Sequence, residues 1–271
     1  MNGNEISEVL RNDGHVIGTL ITHPSPFWPP KVAEIGFDFV FIDTEHIALD
    51  RTQVSWMCQT YNALGVAPFI RIPSPDPYQA SVVDDDGAVG IIAPYIETPE
   101  QVRQLVGATK LRPLKGRSLE RWLSGEEEPD DELKEYIADR NSGKILTINI
   151  ESVPALENID ELLSIPGVDV ALIGPHDLSS SLGVPEQYSH PKFLDAVKRL
   201  IEAAHRHGVA PGIHFWGGIE QEIDWLKQGM QLLVHAADII VFRETMMRDL
   251  KQIRDGIGSS QRFKDGPSVS I

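Results

Sequence analysis

The sequence predicts an α/β fold, a single (β/α)8 TIM barrel, on three observations. Eight segments rich in apolar and β-branched residues alternate with helical segments along the chain, the pattern of a parallel sheet covered by helices. No break in composition divides residues 1–255, so they read as one domain ending in a helix. A Gly/Ser/Lys-bearing tail, 256–271, follows and is expected to be flexible or used between subunits. No glycine-rich loop follows the first strand, which disfavours the fallback, a doubly wound open sheet.

The elements follow in order. Residues 16–22 (VIGTLIT) are the first expected strand, followed by the Pro-rich HPSPFWPP. A short helix, 31–35, leads to 38–43 (DFVFID), an apolar run of the kind buried on both faces. It ends in Asp43-Thr44-Glu45-His46. Helical periodicity over 51–64 stops at Gly65, and 67–72 (APFIRI) is strand three, with Arg71 near its end. Residues 78–85 read as helix, and Gly87 leads into strand four, 89–96. Thr98-Pro99 is a helix start, with Thr as N-cap and Pro at the first helical position. The connection onward, through LRPLKGRSLERW and an acidic segment, is long enough to carry function or oligomer contacts. Strand five, 145–150, stops at Glu151, and 153–163 fits a helix with Pro154 in its first turn. Strand six, 168–173, turns through Gly174-Pro175-His176-Asp177. A helix over 191–207 ends at Gly208, strand seven is 209–214, and a helix over 219–228 is closed by Gly229. Strand eight, 231–235, and a final helix, 239–253, complete the set.

The net charge of −16, from 40 acids against 24 bases, disfavours nucleic acid or an anionic membrane surface as partner. Nine of the acids fall in 120–139, a run that reads as a solvated helix and loop. No apolar run is long enough to span a membrane, and the first residues lack a basic-then-apolar secretory signal. The single cysteine, Cys58, rules out an internal disulfide and reads as a small core residue. A cytoplasmic location is expected.

In a barrel, polar residues at the C-terminal strand ends converge on one mouth. Here these are Asp43, Glu45 and His46, then Arg71, Glu151, His176 and Asp177, with His214 and His235 as further lining. Glu151 and Asp177 lie about one βαβ unit apart. Neighbouring parallel strands would therefore deliver both carboxylates to one edge, as a divalent-metal site. Two carboxylates completed by water suit a hard ion such as Mg²⁺ or Mn²⁺. No lysine closes an expected strand, so Schiff-base chemistry is disfavoured. Each residue also has a plainer reading. Glu151 could stabilise a helix N-terminus, Asp177 could be an N-cap, His46 a loop histidine, and Arg71 a structural ion pair.

The pieces GFDFVFIDTEH (36–46), PFIRIPSPDP (68–77), DDGAVGIIAPYI (85–96), INIES (148–152) and GVDVALIGPHDLSSSLG (167–183) resemble the HpcH/HpaI aldolase family, metal-dependent class II pyruvate aldolases. The resemblance covers roughly residues 15–245. It implies a TIM barrel of the phosphoenolpyruvate/pyruvate type, and a homo-oligomer, hexamer or trimer, with an exchanged C-terminal helix. It also implies cleavage of a 4-hydroxy-2-oxo acid into pyruvate and an aldehyde through a metal-stabilised enolate. Carried over, Glu151 and Asp177 match the metal carboxylates, with Mg²⁺, Mn²⁺ or Co²⁺ as the ion. His46 and Asp43 match the base dyad, Arg71 the substrate-facing arginine, and Asp85 an acid associated with the dyad. Backbone of the Gly174–Asp177 turn, with His176 in it, would bind the pyruvate carboxylate. Asn149 stands where the family commonly has glutamine, and His176 where it has a small residue. A related lyase or decarboxylase acting on a CoA thioester or oxo acid is the nearest alternative. A barrel that binds pyruvate without catalysis is the third reading, against which stand Glu151, Asp177, His46 and Arg71.

Overall fold

The structure, a computed structural model, describes residues 1–259. Its strands β1 (Val16–Ile21), β2 (Phe39–Asp43), β3 (Ala67–Arg71), β4 (Gly90–Ala93), β5 (Ile145–Ile150), β6 (Val170–Ile173), β7 (Ala210–Phe215) and β8 (Leu232–Ala237) form a closed parallel barrel in chain order. The expected (β/α)8 barrel is therefore the observed one. Helices α1 (Gly3–Arg11), α2 (Trp28–Ile35), α3 (Arg51–Ala63), α4 (Pro77–Asp85) and α5 (Pro99–Lys110) lead to α6 (Gly116–Leu123) and α7 (Asp131–Arg140). Then come α8 (Val153–Glu157), α9 (Ile159–Leu163), α10 (Pro175–Ser181), α11 (Pro191–His207), α12 (Ile219–Lys227) and α13 (Asp238–Gly256). Part of the expected tail, residues 260–271, lies outside the described residues. Among the described residues no helix is long and apolar enough to cross a membrane.

Side chains alternate across each strand, so one row fills the barrel and the other meets the helices. The inner cluster contains Val16, Leu20, Phe39, Phe41, Phe69, Ile92, Ile145, Leu172 and Val234. Phe39 and Phe69 pack 4.8 Å apart. Gly18 and Gly90 make that pair possible, since a Cβ at either would stand 2.4–2.6 Å from a ring carbon. Continuing the same period, Asp43, Arg71, Glu151 and His214 are the next inward positions toward the mouth. The outer cluster, larger, joins the other strand faces to α3, α5, α9 and α11.

Three local differences from the expected elements have simple causes. α1 was not anticipated; Asn2 and Glu5 form a capping box, and Ile6 and Leu10 bury into the inner cluster at the N-terminal rim. β4 stops at Ala93 because Pro94 has no N–H for a ladder bond. The helix expected over 153–163 breaks at Asn158, whose side-chain amide donates instead to the Glu97 carbonyl at 3.1 Å.

Candidate active site

The mouth is built first from β2 and β3, where Asp43 and Arg71 are register partners. Arg71 donates from Nε to Asp43 Oδ1 at 2.8 Å and from Nη2 to Oδ2 at 2.6 Å. This two-pronged pairing is geometrically specific to a guanidinium. Asp43 Oδ1 also accepts from the Glu45 amide, and Thr44 donates from its amide and hydroxyl to the Arg71 carbonyl. Asp43 is fully buried; burial alone would push its carboxyl up, but the Arg71 hydrogen bonds and charge win and hold it below the ordinary value. The guanidinium also lies 5.2 Å over the Phe41 ring.

The second half comes from β4, β5 and β6. Glu151 is buried, its Oε1 accepting from the Tyr95 amide at 2.7 Å and its Oε2 from Asn149 Nδ2 at 2.9 Å. Gly174 lies against it: a Cβ there would stand 2.7 Å from Glu151 Oε2. Burial raises the Glu151 pKa, and the Asp177 and Glu45 charges push the same way. Asp177 sits exposed in the first turn of α10. A cleft of about 490 Å³ opens here, lined by His46, Arg71, His176, Asp177, His214 and Trp216 among others.

His214 is the buried wall of that cleft. It packs edge-on to Phe41 and Trp216, and Nε2 lies 3.1 Å from the Ala236 carbonyl. Burial drives its pKa down to about 4, so near neutral pH the ring is uncharged and Nε2–H donates to that carbonyl. The unfolded chain takes up this proton near 6.5 and the folded chain near 4. Stability present above 6.5 is therefore lost as pH falls through that window, by up to roughly 3 kcal/mol. Urea unfolding at pH 7 and pH 4.5 checks this: His214→Gln is expected to show a smaller drop than the wild type.

Several expectations need correction. Asp43 does not hold His46; both its oxygens are taken by Arg71 and the Glu45 amide. The carboxylate beside the imidazole is Glu45, its Oε1 3.8 Å from His46 Nε2. Asp85 does not join the base within this chain. It ends α4, at the rim opposite the mouth, and pairs there with Arg112. His235 faces outward, not into the mouth, because it adjoins inward Val234; its Nδ1 lies 2.9 Å from buried Glu222. His176 lines the cleft with Nδ1 3.5 Å from Glu186 Oε1. Of the residues not anticipated as partners of the site, Tyr95 left no sequence signal, since it fell inside the expected strand four, which the structure ends at Ala93. Asn149 was visible as an inward position two residues before Glu151.

Glu151 and Asp177 are the residues that could hold an ion; no cluster of three or more metal-ligating side chains occurs among the described residues. The charges fit a cation nonetheless. Asp43, Glu45 and Glu151 surround the Arg71 guanidinium, Asp177 lines the same cleft, and Glu151 is buried among like charges. A divalent ion completed by water and substrate oxygens suits such a donor set. Gly174→Ala is expected to displace Glu151 and lower Mn²⁺ affinity by about 10- to 100-fold, as losing a ligand's support does. Titration calorimetry measures it.

A model of the HpcH/HpaI aldolase/citrate lyase family matches residues 25–244. The 2-keto-3-deoxy-L-rhamnonate aldolase of Escherichia coli (strain HS) is 29% identical over 283 residues, covering 98% of this chain and 96% of that protein. The HpcH/HpaI aldolase from Desulfitobacterium hafniense DCB-2 superposes with a TM-score of 0.80 at 27% identity, over 95% of this chain and 98% of that one. Citrate synthase SbnG does so with a TM-score of 0.79 at 25% identity, over 93% and 98%.

Proposed function

The chain belongs to the HpcH/HpaI aldolase/citrate lyase family, a class II aldolase and carbon–carbon lyase by that membership, and from that premise we propose that it cleaves a 4-hydroxy-2-oxo acid into pyruvate and an aldehyde. One observation carries the reading: Arg71, His46 and Asp177 line one cleft, with Glu151 directly behind its Gly174 wall. Glu151 and Asp177 would hold the ion, Mg²⁺, Mn²⁺ or Co²⁺. When bound, such an ion supplies Lewis-acid polarisation of the 2-oxo group.

The chain's own residues supply the rest. Arg71 is clamped through Nε and Nη2, and Nη1 makes no hydrogen bond among the described residues. That free edge of the guanidinium stabilises negative charge developing on the 2-oxo oxygen. His46, half-exposed at the cleft, takes the 4-hydroxyl proton as the carbon–carbon bond breaks and the aldehyde forms. The Gly174–Asp177 turn, with His176, receives the substrate carboxylate. We further read the protein as a cytoplasmic homo-oligomer, trimer or hexamer. None of α13 is buried, and it exposes Val241, Phe242, Met246 and Ile253.

The test is a coupled pyruvate-release assay over a panel of 4-hydroxy-2-oxo acids, with divalent ions added back after chelation. Release restored by an ion supports the reading, and no release from any acid with any ion overturns it. The likeness to a citrate synthase favours a second reading, carbon–carbon chemistry on a CoA thioester or other oxo acid. Running CoA esters beside the free acids separates the two.

A further inference from the structure

The cleft holds one imidazole that the proposed chemistry does not use, that of His214. It is the inward side chain of β7 nearest the mouth, in register with inward Val234. The residue is 8% exposed, and its ring packs edge-on to Phe41 at 5.6 Å and Trp216 at 5.0 Å. Nε2 meets the Ala236 carbonyl at 3.1 Å. A carbonyl only accepts, so Nε2 carries the proton. Ala236 stands at φ +52°, where the β1–β8 pairing skips a residue. Such a bulge, strained for a residue with a Cβ, re-aims groups beside a site.

The other ring nitrogen is thereby fixed as an acceptor. Nδ1 makes no hydrogen bond among the described residues, yet it is not one of the buried polar atoms shut off from water. It opens into the cleft that the ring lines. Burial keeps the ring uncharged near neutral pH, so the lone pair stays available.

An acceptor selects for a donor. In a 4-hydroxy-2-oxo acid the carboxylate and the oxo group only accept, and the hydroxyls alone donate. The 4-hydroxyl belongs to His46 in the reading above. The nearest donor left for His214 is a hydroxyl on the next carbon, in the half that leaves as the aldehyde. A methyl group placed there would leave a desolvated acceptor unpaired.

We propose that His214 is a specificity-determining residue: Nδ1 accepts a hydrogen bond from a hydroxyl beside the 4-carbon, so the protein favours acids that yield a hydroxyaldehyde. This rests on the aldolase reading and names the substrate class within it.

The test compares 4-hydroxy-2-oxopentanoate, which yields acetaldehyde, with its 5-hydroxy analogue, which yields glycolaldehyde, by kcat/KM for pyruvate release. The wild type should prefer the hydroxylated acid by about 10- to 100-fold, the worth of one hydrogen bond and of the unpaired acceptor avoided. His214→Phe keeps the edge contacts but has no acceptor, and should bring the ratio to within about threefold of one. His214→Gln can donate an amide N–H to Ala236 and offer its oxygen to the cleft, so it should keep a preference of about three- to tenfold. General damage to the barrel would slow both acids alike and leave the ratio unmoved. A wild-type ratio near one, or a ratio that H214F preserves, overturns the assignment. If H214F does not fold, the wild-type ratio and its reduction in H214Q decide. If neither acid releases pyruvate with any ion, the aldolase reading fails separately. Calorimetric affinities of the two acids for wild type and H214F, with Mn²⁺ present, then decide the role of His214 by the same ratio.

Discussion

Glu151→Ala and Asp177→Ala should each lower metal-dependent pyruvate release by roughly a thousandfold, the rate equivalent of the several kcal/mol that a Lewis-acid ion supplies. The two changes should differ in what they do to the protein without metal. Asp177 is exposed, so its loss should leave apo stability within about 0.5 kcal/mol. Glu151 is buried, with its pKa raised by burial and by Asp177 and Glu45. A carboxyl raised in the folded state contributes stability below its unfolded pKa that is lost as pH rises through the folded value. The wild-type apo-protein should carry that component and Glu151→Ala should lack it. A second readout needs no substrate: added Mn²⁺ should raise the wild-type melting temperature and leave both variants unmoved. Undiminished metal-dependent activity in both variants would remove these residues as ligands.

Backbone period and capping made the barrel legible in the sequence. Strand positions follow from β-branched runs, and α5 starts as expected, with Thr98 as N-cap and Pro99 at the first helical position. The mouth was legible as a set of strand-end residues because parallel strands of a barrel share one edge. What could not be read was pairing within that edge. Asp43 and His46 are close in sequence, yet register places Asp43 beside Arg71, and the fork geometry of arginine claims both its oxygens. Asp85 was carried over from the family resemblance alone; within this chain it ends α4 at the rim opposite the mouth, paired with Arg112. His235 faces outward by ordinary alternation, next to inward Val234 and paired with outward Phe215, while the β1–β8 register shift beyond it makes Ala237 the next inward position. A one-residue change of phase reverses the face. Tyr95 was invisible because its role depends on a left-handed backbone that its side chain would not advertise.

Arg71→Met tests whether that pairing is structural as well as functional, and its effect on stability should be the largest of any single change at the mouth. Removing the guanidinium leaves Asp43, fully buried, and Glu45, nearly so, without their counter-charge. Breaking a buried pair from one side costs about 3–5 kcal/mol, and loss of the oxyanion donor should lower kcat by about 10²–10³. Arg71→Lys should be intermediate in stability, because an ammonium restores charge but cannot occupy both Asp43 oxygens. The pH dependence distinguishes this account from simple loss of packing. In the wild type the folded Asp43 pKa is depressed by Arg71 against burial. Its contribution is therefore present above the unfolded value, near 3.9, and lost as pH falls through the folded one. In Arg71→Met the Glu45 amide and the His46 charge still act against burial, but burial, the largest cause, loses its main opponent, so the folded pKa rises and stability is instead lost as pH rises. The gap in unfolding free energy between the two proteins should shrink from pH 7.5 to pH 5 in urea melts. A gap that stays constant over that range would mean that Arg71 stabilises the barrel by its contact with Phe41 and not by its charge.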